Sequence, residues 1–219
     1  MVDERAICDR YGIALVYDEV VTAFRTGANF VAHHDPSARP DIITLAKGLG
    51  AGYSPLGAVL TSAQIADELA DSTGFVVSHS YDACPMACAA GGAVLDEIVE
   101  RDLVNHAVQV GARLADGLQR LAEDSPLIND VRGRGLLWAV ELVADKTTAA
   151  KFPASVDPGA TLLQIGLDHG LLLYSRRQNG GLFGDWFLFA PPLISDAEVV
   201  DQIIERFAAV LDKVTPILL

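Results

Sequence analysis

The sequence predicts an α/β fold, because short apolar runs alternate with amphipathic stretches along its 219 residues. Apolar residues make up 51% of the chain, which is enough to bury a sizeable core. Charged side chains stand directly after two of the apolar runs. Functional groups of open α/β sheets gather at the carboxyl ends of strands, so these two places are candidates for a site.

The first elements are a helix and a strand. The stretch "DERAICDRYG" has a helical pattern that Gly12 closes, and the apolar run "IALVYDEV" follows and ends in Asp18 and Glu19. A continuous apolar run is typical of a strand in a sheet that is covered on both faces. After a loop, a second apolar strand, "DIITLA", leads straight into Lys47.

The next segments complete the first part of the chain. A turn-rich connection precedes a third strand, "AVLTS", and the helix "SAQIADELAD", for which Ser62 is the expected N-cap. A long helical stretch begins at Met86, with small residues first and amphipathic spacing later. Small residues there allow close packing of the helix backbone.

The pattern changes near Leu127, where a glycine turn, "GRG", feeds the strand "LLWAVELV". A helix around "PGATLLQIGLDHG", the strands "LLLYS" and "WFLFAPPL", and a last helix from Ser195 then predict a compact α+β unit. We therefore expect two domains, residues 1–115 and residues 116–219.

Composition excludes several classes of function. A net charge of −13 opposes binding to nucleic acid, which requires basic patches. No apolar run is long enough to cross a membrane, and the charged start "MVDERAICDR" is unlike a secretory signal, so a cytoplasmic protein is expected. The three cysteines and the scattered histidines show neither a disulfide framework nor zinc-ligand spacing, so no metal site is expected.

Asp18 and Lys47 form the most informative pair. Taken singly, the lysine could be a surface residue and the aspartate a cap of the following turn. Taken together, a carboxylate and an amine at two strand ends match the needs of pyridoxal phosphate, which binds a carboxylate at its ring nitrogen and a lysine at its aldehyde. The carboxylate keeps the nitrogen protonated, so that the ring accepts electrons when the substrate Cα proton leaves. The lysine, once released, can carry that proton.

Five blocks of this sequence resemble, in order, the class III pyridoxal-phosphate aminotransferases, a group that includes omega-amino acid, ornithine and GABA aminotransferases. The resemblance covers nearly the whole chain, and the blocks are "LVYDEVVTAFRTG", "PDIITLAKGLGAGYSPLGAVL", "HSYDACPMACAAGGAVL", "GRGLLWAVELV" and "FAPPLI". It implies fold type I of the pyridoxal-phosphate enzymes. It also implies transfer of an amino group from an amine or omega-amino acid to a 2-oxo acid, although the family also contains mutases and decarboxylases.

The resemblance assigns roles to five residues. Asp18 would pair with the pyridine nitrogen, Val20 would pack on one ring face, and Lys47 would bond to the cofactor aldehyde. Ser80 stands where the family has a threonine that reaches the cofactor phosphate of the neighbouring subunit. Tyr53 would lie near the substrate entrance of the partner's site, so a homodimer is implied.

The chain also departs from the family pattern. "DACP" replaces the usual Ser-Gly-His-Pro, and Val21 replaces a glutamine. Arg176 and Arg177 could bind a substrate carboxylate, or they could be a plain surface pair, since they stand beyond the usual position.

The family typically carries about as much sequence again before the Asp-Glu-Val strand. The expectation is therefore a C-terminal half: the end of the large cofactor-binding domain (1–115) and the small domain (116–219). It would be a truncated or split enzyme that needs a separate N-terminal half. The alternative is an inactive remnant that keeps a dimerisation or packing surface.

Overall fold

A computed structural model describes residues 2–74, 76–177 and 179–219, and for residues 2 and 3 it describes the backbone only. The helices are α1 Val2–Tyr11, α2 Ala63–Ser72, α3 Pro85–Glu100, α4 Leu103–Asp124, α5 Pro158–Asp168 and α6 Ala197–Leu218. The strands are β1 Val16–Asp18, β2 Ile42–Leu45, β3 Ala58–Thr61, β4 Ile128–Arg134, β5 Leu137–Leu142, β6 Tyr174–Arg177 and β7 Asp185–Phe189. The chain divides into an N-terminal unit, residues 1–105, and a C-terminal unit, residues 106–219.

The N-terminal unit is built on a three-stranded sheet of order β1-β2-β3, in which β1 and β2 are parallel and β3 is antiparallel. The first helix ends before Gly12, whose φ of +63° lies in the left-handed region that glycine adopts without strain. Ser62 caps α2, as predicted, because its hydroxyl accepts a hydrogen bond from the backbone N–H of Ile65.

The sheet of the N-terminal unit exposes apolar side chains instead of burying them on both faces. Val16 is 51% exposed on β1, and Val59 is 67% exposed on β3. The cross-strand register pairs Asp18 with Thr44 and Thr44 with Val59, so these three residues share one face of the sheet. Within the described residues, this unit therefore leaves sheet surface exposed.

The long helical stretch is two helices. The break lies at Arg101 and Asp102, where Asp102 has a φ of +49° and so cannot continue a right-handed helix. Among the described residues, no helix is both long and apolar enough to span a membrane.

The C-terminal unit contains an antiparallel sheet of order β4-β5-β7-β6 and a cluster of buried apolar side chains. Phe187 on β7 and Phe207 on α6 are fully buried, and the ring of Phe189 meets that of Phe207 edge-on, with centroids 4.9 Å apart.

The strand predicted after "GRG" is β5, but the glycine turn differs from the prediction, because Gly133 and Arg134 belong to β4 and the turn that joins the two strands is residues 135–136. This turn packs close to α4, because a Cβ on Gly111 would lie 2.1 Å from the carbonyl oxygen of Gly135.

Candidate active site

The parallel pairing of β1 and β2 brings the two candidate residues to one edge of the sheet. Asp18 is the last residue of β1 and stands in register with Thr44. β2 ends at Leu45, and Lys47 follows after a single residue, Ala46. Because adjacent parallel strands end on the same side, the carboxylate and the amine both belong to the carboxyl edge of this sheet.

Asp18 has an exposed side chain whose orientation is fixed by the turn that follows the strand. Its Oδ1 accepts a hydrogen bond of 3.0 Å from the backbone N–H of Val20. Val20 itself is half-buried, and its β-branched side chain offers a rigid apolar surface beside the carboxylate. The two residues are therefore held next to each other by a local hydrogen bond.

Lys47 sits on an unusual backbone. Its φ of +40° lies in the left-handed region, where a side-chain-bearing residue costs about 1–3 kcal/mol. The turn after it stabilises this conformation, since the carbonyl of Lys47 accepts hydrogen bonds from Gly50 at 3.2 Å and from Ala51 at 3.0 Å. The lysine side chain is exposed at the start of a short 3₁₀ helix, Lys47–Leu49. Strained residues of this kind cluster at active sites and at ligand-binding segments.

The glycine-rich segment after Lys47 is a tight turn. A Cβ on Gly50 would lie 2.4 Å from the carbonyl oxygen of Ser54, so only glycine fits there. Tyr53 projects from this turn and is 85% exposed.

Ser80 lies in a turn of residues 80–83 that precedes α3, and its side chain is exposed. The Asp82 carboxylate shapes this turn by accepting a hydrogen bond of 2.7 Å from the backbone N–H of His79. The following helix packs against the 3₁₀ helix of Lys47, where Gly91 leaves space that the side chain of Leu56 fills. The Ser80 turn therefore leads into a helix that contacts the Lys47 segment.

The two arginines of β6 have different surroundings. Arg177 is bound: its Nη1 donates to both carboxylate oxygens of the buried Asp185, at 2.6 and 2.8 Å, and its Nη2 donates to the carbonyls of Pro153 and Gly180. Burial raises the pKa of Asp185 in spite of this arginine. Arg176 is exposed and lies over the ring of Tyr174, 5.4 Å from its centroid. Only Arg176 of this pair is oriented toward solvent.

The adjacent histidines have partners of their own. The Nε2 of His34 lies 3.2 Å from the hydroxyl of Thr26, and the ring of His33 packs edge-on against Phe30. Within the described ranges, no three His, Cys, Asp or Glu side chains gather as metal ligands.

Glu19 is a functional candidate to which sequence reasoning assigned no role. It follows Asp18 directly, but the two carboxylates have opposite environments, because Asp18 is exposed and Glu19 is 1% exposed. The signal was present in the two-residue period of strands, which turns successive side chains to opposite faces.

The groups at this edge fit pyridoxal phosphate. A carboxylate suits the ring nitrogen, an amine suits the aldehyde, and the half-buried Val20 suits an aromatic face. The resemblance implies that the Ser80 hydroxyl reaches the cofactor phosphate of the neighbouring subunit, and the Ser80 side chain is exposed.

Comparisons with known proteins identify the family. The family model of class-III aminotransferases matches residues 1–211. A diaminobutyrate–2-oxoglutarate transaminase from Halomonas elongata is 34% identical over 216 residues, which are 96% of this chain and 45% of the relative. The chain thus spans about half the length of the curated relatives it matches.

Solved structures agree with that assignment. A transaminase from the marine bacterium Virgibacillus has a TM-score of 0.90 and 31% identity, over 98% of this chain and 48% of its own. An amine transaminase from an uncultivated Pseudomonas species, solved in its PLP-bound form, has a TM-score of 0.86 and 34% identity, over 96% of this chain and 47% of its own. The fold is therefore that of the C-terminal part of a fold type I enzyme, and the chain belongs to the class III aminotransferases, a PLP-dependent family.

Proposed function

We propose that this chain carries the catalytic lysine of a transaminase that moves an amino group from an amine or omega-amino acid to a 2-oxo acid. The observation that carries the proposal is the placement of Asp18 and Lys47 at the carboxyl ends of two adjacent parallel strands. The strained backbone of Lys47 supports a functional reason for its position.

Three residues would hold the reactive part of pyridoxal phosphate. Lys47 would bond to its aldehyde carbon, Asp18 would accept a hydrogen bond from its protonated ring nitrogen, and Val20 would pack on one ring face. When bound, the cofactor supplies an electron sink for the pair left on the substrate Cα. Asp18 maintains that sink, since a carboxylate beside a pyridinium favours the charged form of the ring. The Lys47 amine, once free, takes the proton from the substrate Cα.

The remaining predicted residues would contact phosphate or substrate. We assign the Ser80 hydroxyl to the cofactor phosphate, Tyr53 to the substrate entrance and Arg176 to the substrate carboxylate. Tyr53 and Ser80 are exposed on the N-terminal unit, which supports their use across the interface of a homodimer. We propose that the rest of the site comes from sequence equivalent to the other half of the relatives, on the same or a separate polypeptide.

The test is covalent attachment of the cofactor at Lys47. The protein is mixed with pyridoxal phosphate, reduced with borohydride, digested and mapped by mass spectrometry. We expect the mass of the reduced cofactor on the Lys47 peptide, together with a lysine-dependent visible absorption band. Lys47→Ala should lose both, whereas Lys213→Ala, which removes an exposed lysine from α6, should keep both. Labelling spread evenly over the lysines would contradict the proposal.

The reaction type is tested separately. A loaded protein that converts an unlabelled 2-oxo acid to its amino acid, with one donor amine consumed per product, is a transaminase. Loss of carbon dioxide, or a product that keeps the donor's own carbon skeleton with the amino group moved, would instead identify a decarboxylase or a mutase. If cofactor attaches only when a polypeptide equivalent to the other half of the relatives is co-expressed, the site is shared between two segments.

A non-catalytic packing role is the second candidate. The observation that favours it is the exposed apolar surface of the N-terminal sheet, including Val16 and Val59. It predicts self-association that Lys47→Ala does not change. It also predicts no labelling of Lys47, even with the complementary half present.

A further inference from the structure

Glu19 is the most deeply buried large side chain of the N-terminal unit. Among the largest fully buried side chains in the described part of the chain, it is the one that lies within residues 1–105, and the others are apolar residues of the C-terminal unit. Burying a carboxylate is costly unless hydrogen bonds or charges compensate it. The proposed chemistry does not use Glu19, so its burial requires another reason.

The Glu19 carboxylate joins both sides of the loop that follows β1. Its Oε2 accepts a hydrogen bond of 2.6 Å from the hydroxyl of Thr22, in the turn directly after the strand. Its Oε1 accepts a bond of 3.3 Å from the backbone N–H of Ala32, in the 3₁₀ helix Val31–His34 at the far side of the loop. The carboxylate therefore links both sides of the segment 20–34 to the residue that follows β1.

The Glu19 backbone also fixes its two neighbours. Its N–H donates to the carbonyl of Thr44 at 3.0 Å, which extends the pairing of β1 with β2 past Asp18. Its carbonyl accepts from Ala23 at 3.2 Å and so starts the turn that contains Val20. Since Asp18 and Val20 flank Glu19, a shift of Glu19 would move both.

The loop contains strain that needs such a tether. Phe24 has a φ of +67°, which is unfavourable for an aromatic residue, and its N–H donates to the carbonyl of Asn29 at 3.0 Å. Strained conformations persist where the surrounding structure determines them through several contacts. The hydrogen bond from Ala32 to the Glu19 carboxylate is a further contact within the same segment.

We propose that Glu19 is a positioning residue: its buried carboxylate locks residues 20–34 onto the end of β1 and thereby sets Asp18 and Val20 for the cofactor ring. It acts through these neighbours and does not touch the ring. The inference rests on the proposed function in its cofactor part, while the locking of the loop is a property of the chain itself.

Three variants separate position from charge. Glu19→Ala removes both side-chain hydrogen bonds. Glu19→Gln keeps them, because the amide oxygen can accept from Ala32 and the amide N–H can donate to the Thr22 hydroxyl. Asp41→Ala is the matched control, since Asp41 ties the opposite end of the same two strands by accepting from the backbone of Leu15 at 2.7 Å.

The first readout is amide hydrogen exchange of the protein without cofactor. Glu19→Ala leaves the two donors without their buried acceptor. We therefore expect amide hydrogen exchange in residues 20–34 to become about 10-fold faster or more. Glu19→Gln should stay within about 3-fold of wild type, the difference expected for a retained hydrogen bond. Asp41→Ala should leave this segment unchanged. Unchanged exchange in Glu19→Ala would overturn the inference.

The second readout is the protonated fraction of the cofactor ring. It is measured by nitrogen NMR with pyridoxal phosphate labelled at the ring nitrogen. We expect a smaller protonated fraction in Glu19→Ala than in wild type, and a wild-type fraction in Glu19→Gln. A loosened loop with an unchanged protonated fraction would overturn the positioning role. An equal loss in Glu19→Gln would show that charge matters instead of position, and would also overturn it.

Two further outcomes can be distinguished from a failure of the inference itself. If the wild-type protein attaches no cofactor at Lys47, the proposed function fails and the cofactor part of the inference fails with it, while the exchange data show whether the lock exists. If Glu19→Ala does not fold, Thr22→Val serves in its place, because it removes one donor and leaves the Ala32 bond. Thr22→Val should then give faster exchange in residues 20–34 and a reduced protonated fraction, and wild-type behaviour in both would overturn the inference.

Discussion

The two units of this chain differ in what they bury. The C-terminal unit encloses a continuous apolar cluster drawn from its helices and its antiparallel sheet. The N-terminal unit exposes Val16, Val59 and Leu60 on its strands, and the one side chain it contributes to the largest fully buried side chains of the described residues is a carboxylate, Glu19. The unit with the complete apolar core is therefore not the unit that holds the proposed catalytic residues.

This difference indicates a division of roles. A closed apolar core stabilises a unit without outside help, as in the C-terminal unit. In the N-terminal unit, local interactions position the side chains of the candidate site. These are the left-handed backbone of Lys47, the hydrogen bond between Asp18 and Val20, and the buried Glu19 carboxylate. Its exposed strand surface is typical of a face that another segment or subunit covers.

The sharpest test of the contrast is Phe207→Ala. Phe207 is fully buried in the core of the C-terminal unit, so its loss should lower the free energy of unfolding of that unit by about 3–5 kcal/mol. Both tryptophans of the chain, Trp138 and Trp186, lie in this unit, so denaturation followed by tryptophan fluorescence reports on it directly.

The control for Phe207→Ala is Val59→Ala in the N-terminal unit. Because Val59 is 67% exposed, its truncation should change the free energy of unfolding by no more than about 0.5 kcal/mol. Far-ultraviolet circular dichroism measures this change, since the N-terminal unit holds no tryptophan. A cost at Val59 similar to that at Phe207 would show that the surface of β3 is buried in solution.

A smaller effect is expected from Gly111→Ala. The added Cβ would lie 2.1 Å from the carbonyl oxygen of Gly135, and backbone cannot move away as a flexible side chain can. We expect a loss of about 1–3 kcal/mol in the tryptophan-detected transition. Gly92→Ala in α3 is the control, since its Cβ would meet open space, and it should be neutral or slightly stabilising. Because Gly92 lies in the N-terminal unit, which holds no tryptophan, both glycine variants are also followed by far-ultraviolet circular dichroism, which detects the helices of both units. Equal effects at the two glycines would contradict the close packing of α4 on the β4–β5 turn.

Much of the fold was predictable because its signals are local. Gly12 and Ser62 ended α1 and capped α2 as expected, since a left-handed glycine and a serine N-cap depend on a few neighbouring residues. The division of the long helical stretch at Asp102 was missed, because neither residue of the break is a glycine or a proline. The antiparallel direction of β3 was not predicted either, since strand direction follows from long-range pairing.

The sequence predicted which chemical groups form the candidate site but not how they are arranged in space. Asp18 and Lys47 were identified as a carboxylate and an amine after apolar runs, and the parallel register that puts both at one edge came from the structure. The contrast between the two β6 arginines could not be predicted, because it depends on Asp185, which lies across the hairpin from Arg177. The roles assigned to Asp18, Lys47 and Arg176 remain predictions until cofactor binding is tested.

The smallest effect we predict is the pH dependence of the N-terminal unit through Asp41. The Arg5 guanidinium, which donates to Asp41 at 2.8 Å, and the backbone N–H of Leu15 lower the pKa of this carboxyl below its usual range. A carboxyl with a lowered folded-state pKa stabilises the folded state above its unfolded pKa of about 3.9, and this contribution is lost as the pH falls through the folded pKa.

The variant Asp41→Asn isolates that contribution. Above the unfolded pKa the variant should exchange its β1 amides faster than wild type, because the ion pair with Arg5 is gone. As the pH falls through the folded pKa of Asp41, the two proteins should converge, since the wild-type carboxyl then becomes neutral as well. A difference that stays constant or grows toward acid would show that the Asp41 carboxylate does not stabilise this end of the sheet. In that case the opening of β1 would be governed by the Glu19 end of the strand alone.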